Sequence, residues 1–225
     1  MNPRIDVVIP VRDVDDYLGD ALESVAVQRE VEFGSVVVVD AGSRQPIALP
    51  DVDLGDLTVS LIRSETPLTA GGARNLGAAA GSAPWITFLD ADDRWGRGSR
   101  RALIDACVEG GAALAYGTMI EFHSDEESAR RLARSTAAQP ARVAGGIVVA
   151  RSAWQKTGAF DEQLHAGEFV EWFNRFRSSG EQSAAIEALA LERRVHLKST
   201  TAGQIGTGRD DYLEVVRRWM NRTSS

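Results

Sequence analysis

The sequence predicts an α/β fold, a Rossmann-type sandwich with a mixed, mostly parallel central sheet flanked by helices. Three observations carry this expectation. Ile5-Asp6-Val7-Val8-Ile9-Pro10 and Ser35-Val36-Val37-Val38-Val39-Asp40 are short β-branched runs, the pattern of strands covered on both faces of a parallel sheet. Between them, apolar residues at 18, 21, 22 and 25 recur at helical spacing, and strand, helix, strand over roughly 40 residues makes a βαβ unit. Finally, the apolar runs stop at acids, Asp40 after the second and Asp90 after Trp85 to Leu89. In open α/β sheets, ligands bind beyond the carboxyl ends of strands.

The elements follow in order. Proline is expected to stop the first strand at Pro10, and Asp15 or Asp16 to cap the helix over 16–28. Asp40-Ala41-Gly42-Ser43 reads equally as an Asx-type turn bent at Gly42 and as a ligand contact. Leu57 to Arg63 alternates as a third strand. Gly71 to Ala80 is a small-residue helix opened by two glycines, with Arg74 as its only long charge. Arg74 serves either a structural ion pair or a phosphate or nucleotide, which a planar guanidinium suits.

Trp85 to Leu89 is the fourth strand, and it delivers Asp90, Asp92 and Asp93. Like charges at a strand mouth repel unless a cation sits among them, and hard divalent cations take carboxylate oxygens. Asp90 and Asp92 are two apart, so on an extended chain they point the same way. Asp92 and Asp93 also read as the N-cap of a helix over 96–108.

In the second half, 112–120 and 145–151 read as strands. The charged stretch 123–141, with Asp125-Glu126-Glu127 before Arg130-Arg131 and Arg134, reads as a solvated helix. Aromatic residues at 169, 172, 173 and 176 have helical spacing and are expected in the core. Lys198 to Thr201 is expected in a loop, and 210–220 as an amphipathic helix that packs on the core or meets a partner.

Composition bounds the function. A net charge of −7 and 25% charged residues describe an ordinary soluble chain and disfavour nucleic acid as a partner, which selects basic patches. The single cysteine, Cys107, suits a reducing compartment and a place in the core. No leader and no apolar run of spanning length is visible. The expectation is therefore cytoplasmic, with peripheral association at the inner face of a membrane and a homo-oligomer both left open. There is no G-x-G-x-x-G after the first strand and no G-x-x-x-x-G-K-[ST], which disfavours dinucleotide and P-loop sites.

Four ordered segments then resemble family 2 glycosyltransferases of the GT-A fold. Val7 to Val11 with Tyr17-Leu18, Leu22 to Val25 and Gln28 resembles the opening strand and helix. Val38-Val39-Asp40-Ala41-Gly42-Ser43 resembles the D-D-G-S turn, Ala73-Arg74-Asn75-Leu76-Gly77 the A-R-N-x-G helix, and Phe88 to Asp93 the D-x-D metal motif. Gly158-Ala159-Phe160-Asp161-Glu162 resembles the later G-G-F-D-E turn, and Arg193-Arg194-Val195-His196 the R-x-H segment.

The resemblance implies one GT-A-like domain over 1–225, with a nucleotide-sugar-binding half (1–95) and an acceptor-binding half (96–225). It implies transfer of a sugar from a nucleotide-diphosphate sugar to an acceptor hydroxyl with inversion, aided by Mg²⁺ or Mn²⁺. The acceptor, whether saccharide, lipid-linked or protein, stays open. On the donor side, Pro10, Val11 and Asp13 match the loop lining the base, and Asp40 the acid bonding it. Arg74 and Arg194 match groups near the nucleotide and diphosphate, and Asp90 with Ala91 the ribose side. Asp92 and His196 match the metal ligands. Two positions depart from the pattern. Ala41 replaces the second acid of the turn, and Phe169 stands where the usual base acid would be, leaving Glu168 and Glu171 as candidates for the catalytic base. Trp172 is also suited to an acceptor pocket. A catalytically weakened nucleotide-sugar-binding relative and a nucleotidyltransferase are the alternative readings.

Overall fold

The computed structural model describes residues 2–13, 15–131 and 137–196. The expectations for Lys198 to Thr201 and for the helix over 210–220 lie outside the described residues. In chain order, the elements of the first half are β1 (Arg4–Val11), α1 (Leu18–Ala26), β2 (Glu32–Asp40), β3 (Ser60–Arg63), α2 (Ala70–Ala79), β4 (Trp85–Phe88) and α3 (Ser99–Gly110). The second half holds β5 (Leu114–His123), α4 (Glu126–Arg131), β6 (Gln139–Pro140), a 3₁₀ turn (Ala144–Gly146), β7 (Ile147–Ala150), α5 (Arg151–Thr157), α6 (Glu168–Ser178) and β8 (Ser183–Val195).

These strands form one sheet of eight, in the order β3-β2-β1-β4-β7-β5-β6, with β8 also paired to β5. β1 pairs in parallel with β2 and β4, β2 with β3, and β5 with β8, whereas β7 runs antiparallel to β4 and β5. The mixed, mostly parallel sheet expected from the sequence is therefore the one observed.

The valine run explains the layers. Side chains alternate across a strand, so Val36 and Val38 enter the cluster with Leu18, Leu22, Val25, Leu103 and Ile104, while Val37 and Val39 enter the other with Phe88, Trp154, Phe160, Trp172 and Phe176. α1 and α3 thus cover one face, and α2, α5 and α6 the other. Cys107 is buried in the first cluster, and burial pushes its thiol up to about 12. Gly77 lets α2 lie against β1, since a Cβ there would come within 2.3 Å of Val8 Cγ1.

Several boundaries differ from the expectation. Pro10 does not stop β1, which continues to Val11. β4 pairs with β1 only as far as Val8, so beyond it Pro10 faces one neighbour, β2, and its missing N–H disturbs no second ladder. Neither Asp15 nor Asp16 caps α1; Tyr17 is the cap residue and no side chain bonds there. α3 begins at Ser99 after Gly98, whose φ of 69° is left-handed. Asp92 and Asp93 therefore cap no helix. Gly145, Gly146 and Arg151, expected in a strand, lie in the 3₁₀ turn and at the start of α5.

β8 is long and irregular. Its register against β5 shifts between Tyr116 and Thr118 and again before Met119. Thr118 Oγ1 donates at 3.3 Å to the carbonyls of Glu187 and Ala188, which the extra residues push outward. Gly96 and Gly117 make room for this bulge, since a Cβ on either would lie 2.1 Å from Leu189 O or 2.4 Å from Ala188 O. Among the described residues, no helix is long and apolar enough to cross a membrane.

Candidate active site

Because β1 to β4, β5 and β8 run the same way, their carboxyl ends share one edge of the sheet. That edge gathers the residues the sequence singled out. At the end of β2, Asp40 is 1% exposed. It accepts from Ser43 N at 2.8 Å, from Ile47 N at 3.2 Å and from Arg63. Burial opposes its charge, but the bonds from Ser43, Ile47 and Arg63 outweigh it and hold the carboxyl below the usual carboxylate range. The turn contact, one of the two readings left open, is the one the geometry displays. Gly42 sits there at φ 77°, with no space for a Cβ beside the Thr66 carbonyl.

The loop after β1 is stitched to this turn. Asp13, itself left-handed at φ 59°, donates its N–H to Ser43 Oγ at 2.9 Å and accepts from Arg44 N at 2.9 Å. The Arg44 backbone bond, set against a little desolvation, lowers the Asp13 pKa. Pro10 is half-buried at the strand end, whereas the Val11 side chain belongs to the core.

The second group centres on Arg74. α2 starts at the Thr69 cap, whose Oγ1 accepts from Gly72 N at 3.1 Å. The next turn presents Arg74, which donates to Asp90 Oδ1 at 2.5 Å and to Glu168 Oε1 at 2.6 Å. Arg74 is 4% exposed, and its Nε has no partner among the described residues. Burial disfavours its charge, but Asp90 and Glu168 more than compensate and raise its pKa. Asn75, the next residue, clasps Phe160 by donating to its carbonyl at 3.0 Å and accepting its N–H at 2.9 Å. The A-R-N segment thereby locks onto the Gly158–Glu162 turn, and Gly71 allows the approach, with Phe160 Cβ 3.2 Å from where a Cβ would stand.

The third group closes around Asp92 and Asp93. His196 Nε2 lies 2.9 Å from Asp92 Oδ2, and its buried Nδ1 has no partner among the described residues. Asp93 is 4% exposed and accepts from Arg194 N at 2.8 Å. Burial, then Asp92 and Asp90 beside it, holds its carboxyl well above the carboxylate range. Arg194 donates to the Asp92 carbonyl at 2.9 Å and to Asp20 Oδ2 at 2.5 Å. Ala91 is buried in the core below.

The two candidate bases part company. Glu168, at the first turn of α6, is tied to Arg74, which also holds Asp90. Glu171 is 6% exposed and bonds Arg175 Nε through both oxygens at 2.9 Å, while that arginine also holds the carbonyls of Thr157 and Ala159. Arg175 thereby anchors α6 to the end of α5. Phe169 and Trp172 are buried, Trp172 completely, in a stack with Phe173 and Phe176. Trp172 Nε1 donates to Gly158 O at 2.8 Å, so it is core and not a pocket wall.

Among the described residues, no three His, Cys, Asp or Glu side chains gather to hold a metal. The Asp92–His196 pair is a hard oxygen and an imidazole side by side. That set fits a cation bound mainly by a substrate's phosphates and water, as Mg²⁺ commonly is. Residues to which the sequence assigned no role are Ser43 and Arg63, which fix Asp40, and Tyr17 and Asp20, which contact His196 and Arg194. Their three-residue spacing on one face of α1 was the available signal for the last two.

A parallel-rich α/β sandwich with acids and a buried arginine at its carboxyl edge defines a protein of the GT-A fold class. The chain belongs to glycosyl transferase family 2, whose profile matches residues 6–173. It is 27% identical over 209 residues to the pre-mycofactocin glycosyltransferase of Mycobacterium tuberculosis, covering 85% of this chain and 43% of that protein. It is 33% identical over 93 residues to the amylovoran biosynthesis glycosyltransferase AmsB of Erwinia amylovora, covering 40% of this chain and 31% of that one. The chain thus spans less than half the length of both relatives. In structure it resembles S. aureus TarS 1-349 crystallised with UDP-GlcNAc, at a TM-score of 0.75 and 15% identity over 96% of this chain and 65% of that chain.

Proposed function

We propose that the chain transfers a sugar from a nucleoside-diphosphate sugar to an acceptor hydroxyl, with inversion at the anomeric carbon and with a divalent cation. One observation carries the reading. Arg74 brings Asp90 and Glu168, 78 positions apart in the sequence, onto one buried guanidinium beside the Asp92–His196 pair. Donor-side and acceptor-side carboxylates are thereby held at one point. A TarS crystal structure containing UDP-GlcNAc supports a nucleotide sugar as the ligand class.

Asp92 and His196 would hold Mg²⁺ or Mn²⁺, which supplies charge stabilisation for a leaving diphosphate. Asp90, 42% exposed, faces the ribose side of the donor, and the loop of Pro10, Val11 and Asp13 together with the Asp40 turn shapes the base end. Glu168 accepts the acceptor's hydroxyl proton. Arg74 occupies Oε1, which leaves Oε2 for the transfer and keeps the carboxylate oriented. General-base catalysis of this kind contributes about 10²–10⁴-fold.

A second reading, a nucleotide-sugar-binding relative without turnover, is favoured by Phe169, which is packed into the aromatic stack at the position of the usual base acid. Thermal shift and diphosphonucleoside release, measured with a panel of nucleotide sugars, Mn²⁺ and acceptors, separate the two. Donor-dependent stabilisation with release is expected. Stabilisation without release moves the assignment to the binding relative, and no stabilisation by any donor removes both. In the same assay Asp92→Ala loses metal-dependent donor binding; binding equal to wild type rejects its role.

A further inference from the structure

Arg194 matches a diphosphate contact in the sequence, yet its surroundings describe something else. It is 8% exposed. Its backbone N–H donates to Asp93 Oδ1 at 2.8 Å, its Nε to the Asp92 carbonyl at 2.9 Å, and its Nη2 to Asp20 Oδ2 at 2.5 Å. The guanidinium lies 4.2 Å from the Tyr17 ring centroid and 4.7 Å from that of Phe122. Tyr17 in turn packs on His196, with ring centroids 5.0 Å apart.

One aromatic ring therefore touches both the arginine that fixes the backbone of Asp92 and the imidazole that meets the Asp92 carboxylate. Asp20, three positions after Tyr17, balances the arginine's charge. The guanidinium, against a carboxylate, a carbonyl and two ring faces, has its Nε turned toward the Asp90–Asp93 turn and its Nη2 toward α1. The same groups orient both members of the pair: Arg194 sets where the Asp92 main chain lies, and Tyr17 sets the plane of His196.

We infer that Arg194 and Tyr17 are positioning residues that hold Asp92 and His196 as a preformed ligand pair, with Asp20 as the counter-charge, and that Arg194 is not a phosphate contact. The inference rests on the metal-assisted reading above. It predicts that the start of α1, through Tyr17 and Asp20, controls cation affinity. Supporting groups of this kind typically change metal affinity about 10–100-fold when altered.

The test is Mn²⁺ binding to the full chain, followed by the loss of the free-ion electron paramagnetic resonance signal with UDP present. UDP affinity in EDTA and the melting temperature are measured on the same samples. Tyr17→Phe keeps the ring and is expected to bind Mn²⁺ like wild type, whereas Tyr17→Leu and Arg194→Lys weaken Mn²⁺ by about 10–100-fold. UDP affinity in EDTA stays at the wild-type value in all three, and the variants remain folded at the assay temperature. Wild-type Mn²⁺ affinity in Arg194→Lys or Tyr17→Leu overturns the inference while leaving the metal reading intact. An Arg194→Lys variant that loses UDP affinity in EDTA as much as it loses Mn²⁺ also overturns it, because that is the signature of a phosphate contact. If the wild type itself binds no Mn²⁺, the metal reading falls, and this inference with it.

Discussion

Two arginine–carboxylate clusters stand at opposite ends of the sheet, and they use the same chemistry differently. At the amino end of β1, Asp6 is fully buried and accepts from Ala83 N at 2.7 Å, Ser35 Oγ at 2.9 Å and Arg151 Nη2 at 2.5 Å. Arg151 spends its other nitrogens on the carbonyls of Ala83 and Ala78. Gly34 and Gly81 press so closely that a Cβ on either would reach 2.5 or 2.2 Å from an Asp6 oxygen. At the carboxyl end, Arg74 is as deeply buried, but its Nε has no partner among the described residues and its carboxylate Asp90 is 42% exposed. The first cluster is bonded at every charged nitrogen and oxygen. The second is open on one, and buried polar atoms left without partners carry a cost that a bound ligand can relieve.

The sharpest way to break this contrast is at the open cluster. Glu168→Gln is expected to lower turnover by about 10²–10⁴-fold with donor affinity retained, since Asp90 still holds Arg74. Glu171→Gln, whose partner is Arg175, is expected to lower the melting temperature while leaving the turnover of the folded enzyme near wild type. Single-turnover rates and equilibrium donor binding on both variants decide it, and a larger rate loss in Glu171→Gln reverses the assignment.

The closed cluster should respond in stability alone. Asp6→Asn leaves the half-buried Arg151 without its counter-charge, a change that costs up to about 3–5 kcal/mol, read from the urea midpoint. Donor affinity of the folded fraction is expected to match wild type. A variant as stable as wild type would mean that the cluster is not the brace its geometry suggests.

The smallest effect concerns pH. Asp40 has a folded pKa below its ordinary value of 3.8, so its contribution is fully present above that value and fades as pH falls through the lower folded one. A plot of urea midpoint against pH should therefore be less steep below about pH 4 in Asp40→Asn than in wild type. Equal slopes would show that the turn does not depend on the charge.

The sequence made the first half of the chain legible because its signals are local. Consecutive valines specify a strand covered on both faces, and small residues before and after Arg74 specify a helix pressed against its neighbours. The acid run after β4 announced the edge where charge collects. What was not legible depends on partners far along the chain. Neither Glu168 nor Glu171 carries a local sign of which one meets Arg74, because that is settled by how α6 docks. α5 spans only seven residues, too short for a periodic pattern, and β8 hides because its bulge breaks the alternation by which strands are recognised. Asp92 and Asp93 looked like a cap because acids before a helix usually are; Gly98 ends that role by starting α3 later.

The bulge in β8 has a consequence for how this protein can vary. Nine steps along β5, from Leu114 to His123, are matched by twelve along β8, from Ser183 to Val195. An odd surplus inverts parity, so the bulge chooses which alternate residues of the strand's last turn of pleat look toward the acids. Without the surplus, the partner of Phe122 would be Leu191 and that of His123 would be Glu192, and the acid run would meet an apolar side chain in place of Arg194. The strand therefore works as a gauge with a fixed offset. Insertions and deletions within it change which side chain is delivered at its end, so length variation among relatives is expected in the loops that bracket β8 and not inside it.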